Sequence, residues 1–318
     1  MMKIFTIASN TFIEVIRQPV YVIIATCGLV LILLSPNFTM FAMLENHKLI
    51  KDMGLATLWI TGILLATFSA SHVLYQEIEN KTILTILTKP VSRVSFIIGK
   101  FLGLLFSIGV AQYILTLVLM QLVRTELTEA RYSETDYPVM LGYIFTILFC
   151  IGIAGFMNFF YDKQFMSVAI LYAIPSFTMM FLILCLVDHE WNIHLSLDVL
   201  DQTVFQASIL VFLATTIIVA LATALSTRLA PLPCLFICTM FFLLGLFSDY
   251  FFGNNNSWIM QVCYAIIPNL QLYWVIDIVW SEKTLPWDYF LYVLGYTGCI
   301  LLCLLSLAFA LFQERETA

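Results

Sequence analysis

Apolar residues run along this chain in long unbroken blocks separated by short polar breaks, with neither strand-like alternation nor the narrow stripe of a surface helix. Eight blocks stand out: Pro19–Ser35, Gly54–Leu74, Phe96–Val123, Val139–Phe160, Phe165–Val187, Ser208–Thr227, Cys234–Phe252 and Tyr289–Phe312. A hydrocarbon core about 30 Å thick takes roughly 20 apolar residues per helical crossing. The pattern therefore predicts an all-α integral membrane protein, a polytopic helical bundle of eight transmembrane helices forming one domain over residues 1–318. An even number of crossings puts both ends of the chain on one side.

Three segments outside the blocks carry their own pattern. Residues 1–18 set Phe5, Phe12, Val15 and Ile16 against Lys3, Asn10, Glu14 and Arg17, and Pro19 forces a corner, which predicts an amphipathic helix on the membrane surface. Residues 75–95 place Glu77, Asn80, Lys81, Thr85 and Thr88 on one side and Ile83, Leu84 and Leu87 at helical spacing on the other. Pro90 stops that helix, and Ser92 suits the N-cap of the next. From Arg93 to Val123 is 31 residues, roughly 46 Å of helix, so the third crossing is expected to project beyond the bilayer or tilt. Within residues 253–287, the apolar runs Trp258–Pro268 and Asn269–Ser281 hold 11 and 13 residues, too few to cross. They are expected to dip in or lie flat, with Trp258, Trp274, Trp280 and Trp287 as interface anchors.

Composition closes off other classes: 62% of residues are hydrophobic, 11% are charged, and the mean hydropathy is +0.98. With the amino terminus inside, nine basic residues (Lys3, Arg17, Lys81, Lys89, Arg93, Lys100, Lys163, Arg228 and Arg315) fall on the inner side and five on the outer, the orientation favoured by the positive-inside rule. The net charge of −6 offers nothing to nucleic acid. The amino-terminal stretch does not read as a secretory signal, because Glu14 interrupts its basic region and no small-x-small site follows Leu34.

No block has an Asp, Glu, Lys or Arg near its middle, and Lys100, Arg228 and Asp249 lie close enough to block ends to reach the interface. Ion-coupled transport is thereby disfavoured. Gln112, Tyr113 and Asn158 are expected to make interhelical hydrogen bonds. His189 and His194 are five apart rather than the four a zinc helix needs, and no phosphate-cradling glycine loop exists. By this reading the chain is no enzyme by itself and binds no cofactor or metal. The eight cysteines read as apolar filler, with Cys234/Cys238 and Cys299/Cys303 on shared helix faces as a remote soft-metal alternative and Cys185–Cys263 as a disulfide without support. Gly62, Ala66 and Ala70, then Gly99 and Gly103, recur at spacings of four, favouring packing within the chain over a dimer seam.

The run Glu77, Glu79-Asn80-Lys81-Thr82, Leu87-Thr88-Lys89-Pro90-Val91-Ser92-Arg93 and Gly99-Lys100-Phe101-Leu102-Gly103 resembles the coupling region of ABC-2-type transporter permeases. The opening Ser9–Pro19, with Phe12, Glu14 and Arg17, is similar to the family's connecting helix. Ala224–Leu229, Ile267–Gln271 and Leu311–Glu316 also look like this group, including the permeases of multicopper-enzyme maturation systems. The resemblance implies a permease subunit of an ATP-driven exporter in a bacterial cytoplasmic membrane, with both termini cytoplasmic. A separate ATPase, present in two copies and carrying ATP and Mg, would dock on Glu77, Glu79, Asn80, Lys81, Thr82, Lys89, Pro90 and Arg93, and a second permease subunit, identical or different, would complete the pair. The other reading is a non-transporting anchor or force-transmitting partner of an ATPase. Eight crossings rather than the usual six depart from the family's pattern.

Overall fold

The computed structural model describes residues 2–38, 46–79, 92–132, 136–193, 201–252, 258, 264, 267–280 and 284–316. Among these, the chain is helical, and its one extended pairing is an isolated bridge between Val187 and Ile193. The main helices are α1 (Met2–Ile16), α2 (Pro19–Phe38), α3 (Asn46–Ala70), α4 (Arg93–Tyr132), α5 (Tyr137–Tyr161), α6 (Phe165–Leu186), α7 (Gln202–Ser226), α8 (Pro231–Leu246) and α9 (Trp287–Glu316). A π turn, Ser71–Tyr75, and a single helical turn, Gln76–Glu79, continue α3.

Helix α7 is the hub, packing against α3, α4, α8 and α9. In its apolar stretch 78% of residues are buried, against 17% in α9 and 22% in α2. Side-chain size accounts for the difference: Ala207, Ala214, Ala220, Ala222 and Ala224 let neighbouring backbones approach. The hydroxyls of Ser208, Thr215, Thr223 and Ser226 donate to carbonyls three or four residues back, so its buried hydroxyls do not go unpaired. By contrast, α5 turns Phe145, Leu148, Phe149, Phe156 and Phe159 outward, as lipid contact requires, and packs mainly on α6.

Helix α4 runs 40 residues, about 60 Å, so the expected long helix is longer still. Ser92 caps it, its Oγ accepting from Ser95 N at 3.3 Å. Against its first turns lies α1, held close by Gly103, where a Cβ would meet Ala8 O at 2.6 Å. Val15, Ile16, Ala8 and Thr11 of α1 are buried while Phe5 and Ile13 are exposed. The apolar surface of α1 is therefore divided, one part spent on α4.

Seven helices among the described residues are long and apolar enough to cross a membrane, not eight. The seventh expected crossing, Cys234–Phe252, is instead the 16-residue α8, about 24 Å long, ending at Phe247 before a short turn, Ser248–Phe252. Its end is set by packing: Gly245 lies against Leu270 and the Pro268 carbonyl. Helices α7 and α9 run the same way, since Gln206 bonds Leu285 at one end and Arg228 bonds the Leu311 carbonyl at the other. The return between them is shared by α8, which starts with Cys234 beside Ser226, and by residues 267–280, which reach Asp52 near the start of α3 through Trp280. Both described ends of the chain lie at one end of the bundle, α1 beside Gly99 and Gly103 and Phe312 stacked on Phe96.

Candidate functional site

The end of the bundle that holds α1 is organised on one buried cation. Lys100, only 4% exposed, places Nζ 2.7 Å from Glu77 Oε1 and 3.4 Å from Glu14 Oε2. The ammonium also lies 5.7 Å from the Phe96 ring centroid, and Phe96 stacks on Phe312 of α9. Lys100 thus does not extend to the interface as its position near a helix end suggests, because two carboxylates hold it inside. Burial pushes the Glu77 carboxyl above the usual range, and the Lys100 charge only partly offsets this. Beside this cluster, Gln18 Nε2 and His72 Nδ1 meet at 2.7 Å, and Ser71 and Ser226 hydroxyls at 3.3 Å. His72 and Ser71 belong to the π turn, a geometry that is rare and concentrated at functional positions.

These contacts separate the residues expected to meet an ATPase. Glu79 and Arg93 are exposed at the borders of residues 80–91, whereas Glu77 is half-buried on Lys100. Asn80, Lys81, Thr82, Lys89 and Pro90, and with them the expected helix and its proline stop, lie outside the described residues. In the amino-terminal helix, Arg17 is exposed, Phe12 half-buried and Glu14 drawn to Lys100. Gly62 faces Gln112 and Thr215, Ala66 and Ala70 are buried, and Gly99 and Gly103 meet α1, so these small residues serve contacts within the chain.

The opposite end carries two more buried ion pairs, from residues the sequence places in outer breaks. Arg124 binds Asp136 Oδ2 at 3.0 Å, the Leu184 carbonyl, and the Val187 carbonyl at 2.8 Å, joining the far end of α4 to the start of α5 and the end of α6. Lys51 lies 2.5 Å from Asp201, which also caps α7 by accepting from Thr203 N at 2.9 Å. Burial would raise the Asp201 carboxyl, but Lys51 and Thr203 outweigh it and hold it below the ordinary range. With the folded pKa lowered, the contribution of the pair is full above an Asp's ordinary value near 3.9 and lost as pH falls through the lower folded value. Lys51→Met is therefore expected to destabilise the detergent-solubilised protein equally at pH 7 and pH 5. The gap to wild type should narrow only below about pH 4; a gap already closing at pH 5.5 in thermal unfolding would contradict the assignment.

Between the ends, residues 267–280 bring non-helical backbone against α9. Asn269 N donates to Tyr296 Oη at 2.8 Å, Tyr289 Oη donates to the Leu272 carbonyl at 2.5 Å, and Asn269 Oδ1 accepts from Gln271 N at 3.0 Å. Tyr273, fully buried, pairs its hydroxyl with Thr297 at 2.7 Å. Thr297 is ten residues into α9, about 15 Å from its start. Irregular backbone persists in an apolar layer only where protein satisfies it, and here three side chains of α9 do so. The sequence signal for them was available, since Tyr289 and Tyr296 are seven apart and share a helix face. Above this turn, Trp280 Nε1 donates to Asp52 at 2.7 Å with Lys48 5.8 Å from its ring centroid.

Of the polar residues expected between helices, Gln112 bonds Leu58 O and Thr215, Tyr113 bonds Thr178, and Asn158 bonds the local Lys163 carbonyl. Cys185 is a free thiol, and Cys263 lies outside the described residues. Cys234 and Cys238 are buried on α8, while Cys299 and Cys303 are exposed on α9. No family model, no curated protein and no solved structure matches the chain.

Proposed function

We propose that this chain is the membrane-spanning subunit of an ABC-2-type exporter, worked by a separate ATPase. The observation that supports this most is the linkage at Lys100: Glu77 lies three residues before residues 80–91, Lys100 lies on the helix that follows them, and Glu14 belongs to α1. A partner that displaces residues 80–91 would pull on Glu77, and the ion pair would pass that pull to α1 and α4 together. The described charged pairs stand near helix ends rather than at mid-helix, which fits energy supplied from outside the bundle. On this reading two ATPase copies carrying ATP and Mg serve a pair of permease subunits, identical or different. The membrane would be a bacterial cytoplasmic membrane, with both chain ends in the cytosol.

Affinity purification of the tagged chain from its native membranes in mild detergent is expected to retain an ATPase and Mg-ATP hydrolysis. Glu79→Lys, changing an exposed carboxylate at the border of residues 80–91, should reduce that retention at least tenfold, since a lost charge-assisted interface contact is worth about 2–5 kcal/mol. Its thermal stability should match wild type. A chain that purifies alone, without ATP hydrolysis, would sink the reading.

A further inference from the structure

On the flank of the bundle, α4 and α7 enclose a cleft of about 260 Å³ that includes Gly109, Gln112 and Thr116 on one side and Phe205, Ser208 and Phe212 on the other. Both helices are apolar crossings at this level, so the cleft lies at a depth where bulk water is absent. Gln112 is 4% exposed. Its Nε2 donates to the Leu58 carbonyl at 3.3 Å and to Thr215 Oγ1 at 2.9 Å, which uses both amide protons. The Thr215 hydroxyl proton is itself given to the Val211 carbonyl at 2.8 Å. Both partners can therefore only accept, so the amide cannot be turned over without setting its oxygen against two acceptors. That leaves Gln112 Oε1 buried without a hydrogen-bond partner.

An orphaned acceptor at that depth costs free energy that a donor would recover. A lone water suits the place badly, because water needs two to four polar partners and the Ser208 hydroxyl donates instead to its own helix at Val204 O. The phenyl rings of Phe205 and Phe212 present apolar surface for the remainder of an occupant. We propose that the α4–α7 cleft binds a small amphipathic molecule, an apolar body carrying one hydroxyl or amide N–H that donates to Gln112 Oε1. The site stands whether or not the chain is an exporter subunit, and its test needs no ATPase.

The full chain, reconstituted in nanodiscs of dioleoylphosphatidylcholine, which offers no donor, is photolabelled with a diazirine-bearing octanol and with the methyl ether of the same probe. Peptide mapping is expected to place the alcohol's label on Thr116, Phe205 and Phe212, at least tenfold above the ether. Gln112→Met should remove the preference for alcohol over ether. Thr116→Trp, which fills the cleft and leaves the Gln112 bonds in place, should remove cleft labelling while thermal unfolding stays cooperative. Competition by dioleoylglycerol in the disc identifies a lipid source for the ligand, and competition only by octanol added from water identifies a solute. Equal labelling by alcohol and ether, label spread evenly over the outward faces of α5 and α9, or labelling that survives Thr116→Trp each overturns the proposal. Absence of any cleft label, as when water alone fills the space, overturns it too.

Discussion

Arg124→Met is expected to be the most damaging single substitution in the bundle, lowering unfolding free energy by about 3–5 kcal/mol, the range for stripping one partner from a buried ion pair. Arg124 is 3% exposed and Asp136 fully buried. Removing the guanidinium strands the Asp136 carboxylate, whose Oδ1 already has no partner, and abandons the Leu184 and Val187 carbonyls at the end of α6. A methionine recovers the apolar stem but donates nothing. The double change Arg124→Met with Asp136→Leu should recover part of the loss, because a pair replaced whole costs less than a pair broken; the two carbonyls still lack a donor. Arg17→Met, at an exposed position, is the control and should stay within about 0.5 kcal/mol of wild type. Reversible unfolding in mixed detergent micelles measures all three, and a loss under about 1 kcal/mol for Arg124→Met would show that the network is solvated rather than sealed.

At the other end, Glu77→Lys is expected to cost about 2–3 kcal/mol, while Glu79→Lys costs almost nothing. Side-chain exposures of 20% for Glu77 and 36% for Glu14 put the expectation at the low end of the buried-pair range. Reversal sets two ammonium groups against each other where an ion pair stood at 2.7 Å. The exchange Glu77→Lys with Lys100→Glu should regain more than half of the loss, although Glu14 then faces a carboxylate. Double-mutant analysis of unfolding separates these terms. A Glu77→Lys protein as stable as wild type would mean that Lys100 is neutralised by Glu14 alone, and the mechanical link through Glu77 would fall with it.

Length and hydropathy were enough to locate seven of the helices, because a crossing of roughly 20 apolar residues is a strong local signal. What hydropathy could not rank was their position. Helices α5 and α7 are both apolar throughout, yet one is a lipid-facing rim and the other the hub; the distinction lies in Phe against Ala and Thr. The failed crossing at Cys234–Phe252 was invisible for a related reason, since α8 stops where Leu270 and Pro268 pack on Gly245, a contact made 25 residues further along the chain. The buried cations were misplaced because Lys51 finds its carboxylate 150 residues away, at Asp201. Nothing near Lys51 or Lys100 announces that partner, so a helix-end cation reads as solvated. Ser92 was legible because a cap is decided within four residues.

The π turn at Ser71–Tyr75 gives the chain a two-position register. A π turn holds one residue more than the α turn it replaces, so closing it to α geometry would rotate everything beyond Tyr75 by about 100° and advance it about 1.5 Å. Glu77 sits two residues past that point, and such a rotation would carry its carboxylate off Lys100 and turn another face of the Gln76–Glu79 turn toward α1. The ion pair and the extra residue therefore lock one another: the carboxylate reaches Lys100 only while the turn stays wide, and the turn is held wide in part by the carboxylate. A load arriving through residues 80–91 meets a catch with discrete settings, closer to an escapement than to a spring.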